Sequence, residues 1–109
     1  MSYHKKNLKA QLVEIAWDIC NTGSWQTVNM RLVAEKAGVS TTAFYRHFRN
    51  KTDLKAELMR KGFQILYKGM EDLTNNFSSY GAHYIRFGLD NPHIYDLMFG
   101  NTDLDMAQG

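Results

Sequence analysis

The sequence is poor in features that would point to several common protein classes. It has one cysteine, Cys20, so no disulfide can form within the chain, and a reducing cytoplasm is the natural compartment. It has one proline, Pro92, and no segment that alternates with period two between hairpin signals. Together these absences favour an all-helical chain. No apolar run approaches the roughly 20 residues that a membrane-spanning helix needs. The N-terminus "MSYHKKNLKAQ" carries lysines but no apolar stretch, so it does not read as a secretory signal.

Catalytic and metal chemistry are also poorly provided for. His4, His47, His83 and His93 do not fall at ligand spacing, and with one cysteine no metal site is indicated. No Ser/His/Asp or Cys/His arrangement stands out. Glu57, Glu71 and Asp72 belong to a solvated helix face, which gives paired-carboxylate chemistry little support. No glycine-rich loop follows a strand, so no nucleotide fold is indicated. The expectation is a protein that is not an enzyme and needs no cofactor.

Charge, by contrast, is unevenly placed. Residues 1–51 carry eight Lys/Arg against three acids, and residues 52–109 carry five against eight. A basic first half suggests a polyanionic partner there; the plainer alternative is scattered surface charge.

The apolar pattern divides the chain into helices. Leu8, Leu12, Ile15, Ala16 and Ile19 share one stripe, which predicts a first helix over about 5–21 with Lys5, Lys6 and Lys9 at its start and Gly23 after its end. Thr27 is the expected N-cap of a second helix, which Gly38 ends. Ser40 or Thr41 caps a third over 41–47, with Phe44 and Phe48 facing inward. Asn50 opens a fourth, with Asp53 completing a variant capping box. Leu54, Leu58, Ile65, Leu66, Met70, Leu73 and Phe77 extend its apolar face for several turns. Gly62 and Gly69 within it imply either a bend or close packing. A fifth helix begins near Tyr80 and runs to Asp90. Asn91 at N-cap and Pro92 at N1 open a sixth, which ends at Phe99. Trp17 and Trp25 read as core or rim fillers.

The segment "AEKAGVSTTAFYRHF" holds the most specific pattern. Ala34 suits a helix crossing, Gly38 a left-handed turn, and Phe44 a bulky lock between two steeply crossed helices. Val33, Ala37 and Val39 supply the shared core. This is the spacing of a helix-turn-helix, with 41–47 as the helix that enters the DNA major groove. Thr41, Thr42, Tyr45 and Arg46 then face outward. The hydroxyls suit base edges, Arg46 suits guanine or a phosphate, and Tyr45, His47 and Lys51 suit phosphates. The rival reading makes the helix-turn-helix a protein-docking surface. That would call for exposed Leu, Ile or Met on the outward face.

"TVNMRLVAEKAGVSTTAFYRHFRNKTDL" resembles the DNA-binding domain of the TetR family of bacterial transcriptional regulators. The resemblance covers about residues 5–60 and extends more weakly through "YIRFGLDNPHIYDLMF". It implies an all-α protein with a DNA-binding domain over 1–52, a linking fourth helix from about 50, and a partial regulatory domain over 53–109. It implies a ligand-responsive repressor that binds a palindromic operator in double-stranded DNA as a homodimer. The family's DNA contacts fall on Thr27, Arg31, Thr41, Thr42, Tyr45, Arg46, His47 and Lys51. A small-molecule effector would meet Tyr84, Phe87, Tyr95 and Met98, for which plain core is the alternative. The two long helices that join family dimers have no counterpart in residues 1–109. Residues Tyr84, Phe87 and Met98 are therefore expected to be exposed and this chain weakly self-associated.

Overall fold

A computed structural model describes residues 7–71 and 77–100, with the backbone alone for Phe77. Helices α1 (Leu8–Thr22), α2 (Met30–Ala37), α3 (Thr41–Tyr45), α4 (Lys51–Glu71), α5 (Phe77–Asp90) and α6 (Pro92–Phe99) follow one another, with a 3-10 turn over Trp25–Thr27. The fold is all-α, without a strand among the described residues. The expected contributions of Lys5, Lys6 and Leu73 lie outside those residues.

Amphipathic spacing explains α1. Leu12, Ala16, Trp17 and Cys20 are buried, and Leu8, Ile15 and Ile19 are partly buried around them. Trp17 therefore joins the core. Helix α2 differs from its expected start. Its N-cap is Asn29, whose side chain accepts from the Leu32 N–H at 2.7 Å. Thr27 instead closes the 3-10 turn, donating its hydroxyl to the Ser24 carbonyl at 2.8 Å. Asparagine is at least as good an N-cap as threonine, and here it stands immediately before the helix.

The turn after α2 is a Schellman motif. The Val39 N–H reaches the Ala34 carbonyl and the Gly38 N–H the Glu35 carbonyl, both at 3.0 Å. Gly38 has φ 74°, the left-handed region. A Cβ there would meet nothing within 4 Å, so the backbone conformation alone demands glycine. We expect Gly38→Val to cost about 1–3 kcal/mol of stability, since a β-branched residue is strained at positive φ. Gly38→Asn should cost less, because asparagine tolerates this region. Urea melts of the two variants would separate them, and equal stability would remove the turn from the argument.

Helix α3 is shorter than expected, 41–45 rather than 41–47. Ser40 is its cap and accepts from the Ala43 N–H at 3.1 Å. Arg46 and His47 continue as a turn that returns Phe48 to the core, with the His47 and Phe48 N–H groups both on the Phe44 carbonyl.

Helix α4 opens on a reciprocal arrangement. Asn50 accepts from the Asp53 N–H at 2.9 Å, and Asp53 accepts from the Arg49 N–H at 3.1 Å. The acid at N3 thus reaches one residue further back than a standard capping box. Leu54, Leu58 and Leu66 are buried, whereas Ile65, expected on the same face, is exposed. Gly62 and Gly69 allow close packing within one continuous helix. A Cβ at Gly62 would collide with Met98 of α6, and one at Gly69 with the His83 ring of α5. His83 Nε2 lies 3.1 Å from the Leu66 carbonyl, a bond that the missing Cβ makes room for.

Helix α5 begins at Phe77, earlier than expected. Asn91 does stand at the N-cap of α6, before Pro92, but its side chain does not cap. It donates to the Phe87 carbonyl at 3.2 Å and accepts from the Asn21 side chain of α1 at 3.2 Å. Helix α6 packs against α1, α4, α5 and the 3-10 turn, so residues near the end of the chain return to its beginning.

Candidate nucleic-acid interface

The geometry of α2 and α3 follows from their shared core. Phe44 and Phe48 are 0% and 1% exposed, with ring centroids 5.2 Å apart, and they pack with Val33 and Ala34 in one cluster. Burying this edge of α3 turns the other edge out. Thr41, Thr42, Tyr45, Arg46 and His47 are all exposed. Tyr45 stands edge-on to Phe44, at 5.5 Å and 82°, with 45% of its surface free. Because Ser40 does the capping, the Thr41 hydroxyl is not needed for it.

Arg31 and Lys36 on α2 are exposed as well. Arg49 is exposed and pairs with Asp53 at 3.2 Å. Thr27 is exposed, but its hydroxyl is held by Ser24 on both sides, donating to the carbonyl and accepting from the N–H at 3.3 Å.

Lys51 is placed differently from the other candidates. It is only half exposed, and its Nζ lies 4.8 Å from the centre of the Trp25 ring. Burial draws its amine below the ordinary lysine range, while Cys20 acts the other way. Cys20 itself is buried, and burial, followed by the charge of Asp96, raises its thiol to about 11. At pH 8 only about one thiol in a thousand would then be ionised. We expect iodoacetamide to modify Cys20 only after unfolding. Rapid labelling of the folded chain would contradict the burial of Cys20 in the core.

The candidate effector residues separate into two groups. Phe87 and Met98 are each 6% exposed and belong to the core. The expectation that they are exposed, and a source of self-association, is corrected: α6 folds back onto the other helices, with Met98 packed against Gly62 of α4. Tyr84 and Tyr95 are half-buried and share a hydroxyl–hydroxyl hydrogen bond of 3.0 Å. That bond is the main reason the Tyr84 phenol lies above its ordinary pKa. Phe99 stacks at 4.8 Å from Tyr95 and 5.8 Å from Tyr84, and Phe63 and Tyr67 continue the group along α4. Neither Phe63 nor Tyr67 stood out in the sequence. Their spacing of four on one helix was the available sign.

Residues 12–58 match the family described as bacterial regulatory proteins, tetR family. The matched segment is a TetR-family DNA-binding domain. The match runs from Leu12 through α2 and α3 into the first turns of α4, the same elements that build the exposed face of α3. TetR-family proteins are DNA-binding transcriptional regulators, and the match covers the helix-turn-helix described above. No solved structure matches the chain. No described helix is long and apolar enough to cross a membrane.

Proposed function

We propose that this TetR-family chain is a ligand-responsive repressor acting in the cytoplasm, a regulator rather than an enzyme, which binds a palindromic operator as a homodimer. The observation that carries the DNA-binding part is the outward face of α3. It offers two threonines, a tyrosine, an arginine and a histidine, and none of the exposed aliphatic side chains a protein-docking surface would present. Threonine methyls and hydroxyls suit thymine and base edges, and arginine suits guanine. Tyr45 and His47 on that face, together with Thr27, Arg31 and Lys51, suit the backbone.

An effector would bind at the aromatic group of Tyr84, Tyr95, Phe63, Tyr67 and Phe99. Its rings provide apolar contact and the tyrosine pair provides polar atoms, the mixture that small-molecule sites use. Phe87 and Met98 would support that group from the core.

Selection of bound sequences from a random DNA pool tests the proposal. The expected result is a palindrome whose half-sites lie about 10 bp apart, centre to centre. Enrichment of a single unpaired half-site would defeat the two-fold symmetry. No enrichment, with heparin retention insensitive to salt, would favour the protein-docking alternative.

A further inference from the structure

We infer that Trp25 is a positioning residue for DNA binding, holding the Lys51 ammonium in place for a backbone phosphate before DNA arrives. This rests on the DNA-binding reading of the preceding subsection. The contact joins two elements that are each fixed independently. Trp25 opens the 3-10 turn, which the reciprocal Ser24–Thr27 bonds close, and the Val28 N–H returns to the Trp25 carbonyl at 3.0 Å. Val28 is fully buried and anchors the turn, and the Trp25 ring packs partly against the core. Lys51 is the first residue of α4, directly after the Asn50 cap. Its ammonium sits 4.8 Å over the ring.

The choice of partner matters. Among the described residues, Arg49 is paired with Asp53, Lys9 lies near Glu57 and Lys61 near Glu14. Each of those carboxylates offsets the positive charge beside it. No ion pair involving Lys51 is found among the described residues, and its partner there is an aromatic face. A ring quadrupole attracts a cation without cancelling its net charge. The ammonium is therefore held and keeps its charge for an anion. A lysine already held loses less rotamer freedom when it meets the phosphate, so less of the contact is spent on ordering. Its position at the start of α4 adds backbone N–H groups that favour the same anion.

The test has two parts. In the free chain, NMR should show the Lys51 ε-methylene protons shifted upfield by the Trp25 ring, with the shift lost in Trp25→Leu and partly kept in Trp25→Phe. Duplex binding is then titrated against salt for the unsubstituted chain, Trp25→Leu, Trp25→Phe, Lys51→Met and the Trp25→Leu/Lys51→Met double variant. Lys51→Met should lower the slope of log affinity against log salt by about 0.9. Trp25→Leu should weaken binding about two- to fivefold, Trp25→Phe less, and the double variant should bind no more weakly than Lys51→Met alone. An absent ring shift would overturn the inference. So would a loss on Trp25→Leu that is equally large in the Lys51→Met background, since that marks a purely structural role. Tighter binding by Trp25→Leu would also overturn it, by showing that the ring sequesters the charge. An unsubstituted chain with no salt-dependent DNA binding would bring down the DNA-binding reading itself, and this inference with it.

Discussion

Phe44→Ala should remove most of the stability of the helix-turn-helix. The ring is fully buried and packs against Phe48 and, edge to face, against Tyr45. Truncating a buried phenylalanine costs about 3–5 kcal/mol, the sum of lost transfer energy and the cavity left behind. A small protein is stable by only about 5–15 kcal/mol in total. Helix α3 is too short to persist without its packing, because a five-residue helix is far below the length that holds in water. The loss should therefore appear as a lower urea midpoint together with lost DNA binding. Phe44→Leu, which refills much of the space, should lose less than half as much. A drop of under about 1 kcal/mol for Phe44→Ala would mean that α3 is held by something other than this ring.

Arg46→Ala should act on recognition and leave folding alone. Arg46 is exposed, and its backbone N–H closes the end of α3 on the Thr42 and Ala43 carbonyls whatever side chain it carries. A bidentate contact with a guanine edge is worth about 1–3 kcal/mol of discrimination. We expect a loss of that size on the selected operator and a much smaller one on random duplex. Thr41 and Thr42 variants should change which bases are preferred at neighbouring positions. A uniform loss for Arg46→Ala on every sequence, with a shallower salt dependence, would assign Arg46 to phosphate.

Much of this arrangement was legible in the sequence because it rests on local chemistry. The six helices follow from apolar periodicity. Gly38 follows from the need for a left-handed residue, and the inward Phe44 and Phe48 follow from their spacing of four. The errors have local causes too. Thr27 looked like a cap, but Asn29 stood closer to the first helical residue and won. The last two residues assigned to the third helix, Arg46 and His47, were lost to the turn that brings Phe48 home. What could not be read was tertiary. Nothing along the chain says that Asn91 would turn from its own helix to Asn21, seventy residues away. Nor does it say that α6 would fold back to bury Phe87 and Met98, or that Lys51 would rest on Trp25. Those outcomes depend on how helices pack, which periodicity constrains only to a face.

The pair of bonds at Asn91 has a consequence for how the molecule opens. Through them α6 is tied at one point to both α1 and the end of α5, and its buried Ile94, Leu97 and Met98 belong to the same cluster as Leu12, Trp17 and Cys20. Amide protons in the middle of α1 and in α6 should then exchange with deuterium as one cooperative unit, although they lie at opposite ends of the sequence. Transplanting the first fifty residues onto another regulator would cut through that unit. A chimaera would have to bring α6, or a surface that mimics it, to keep α1 closed.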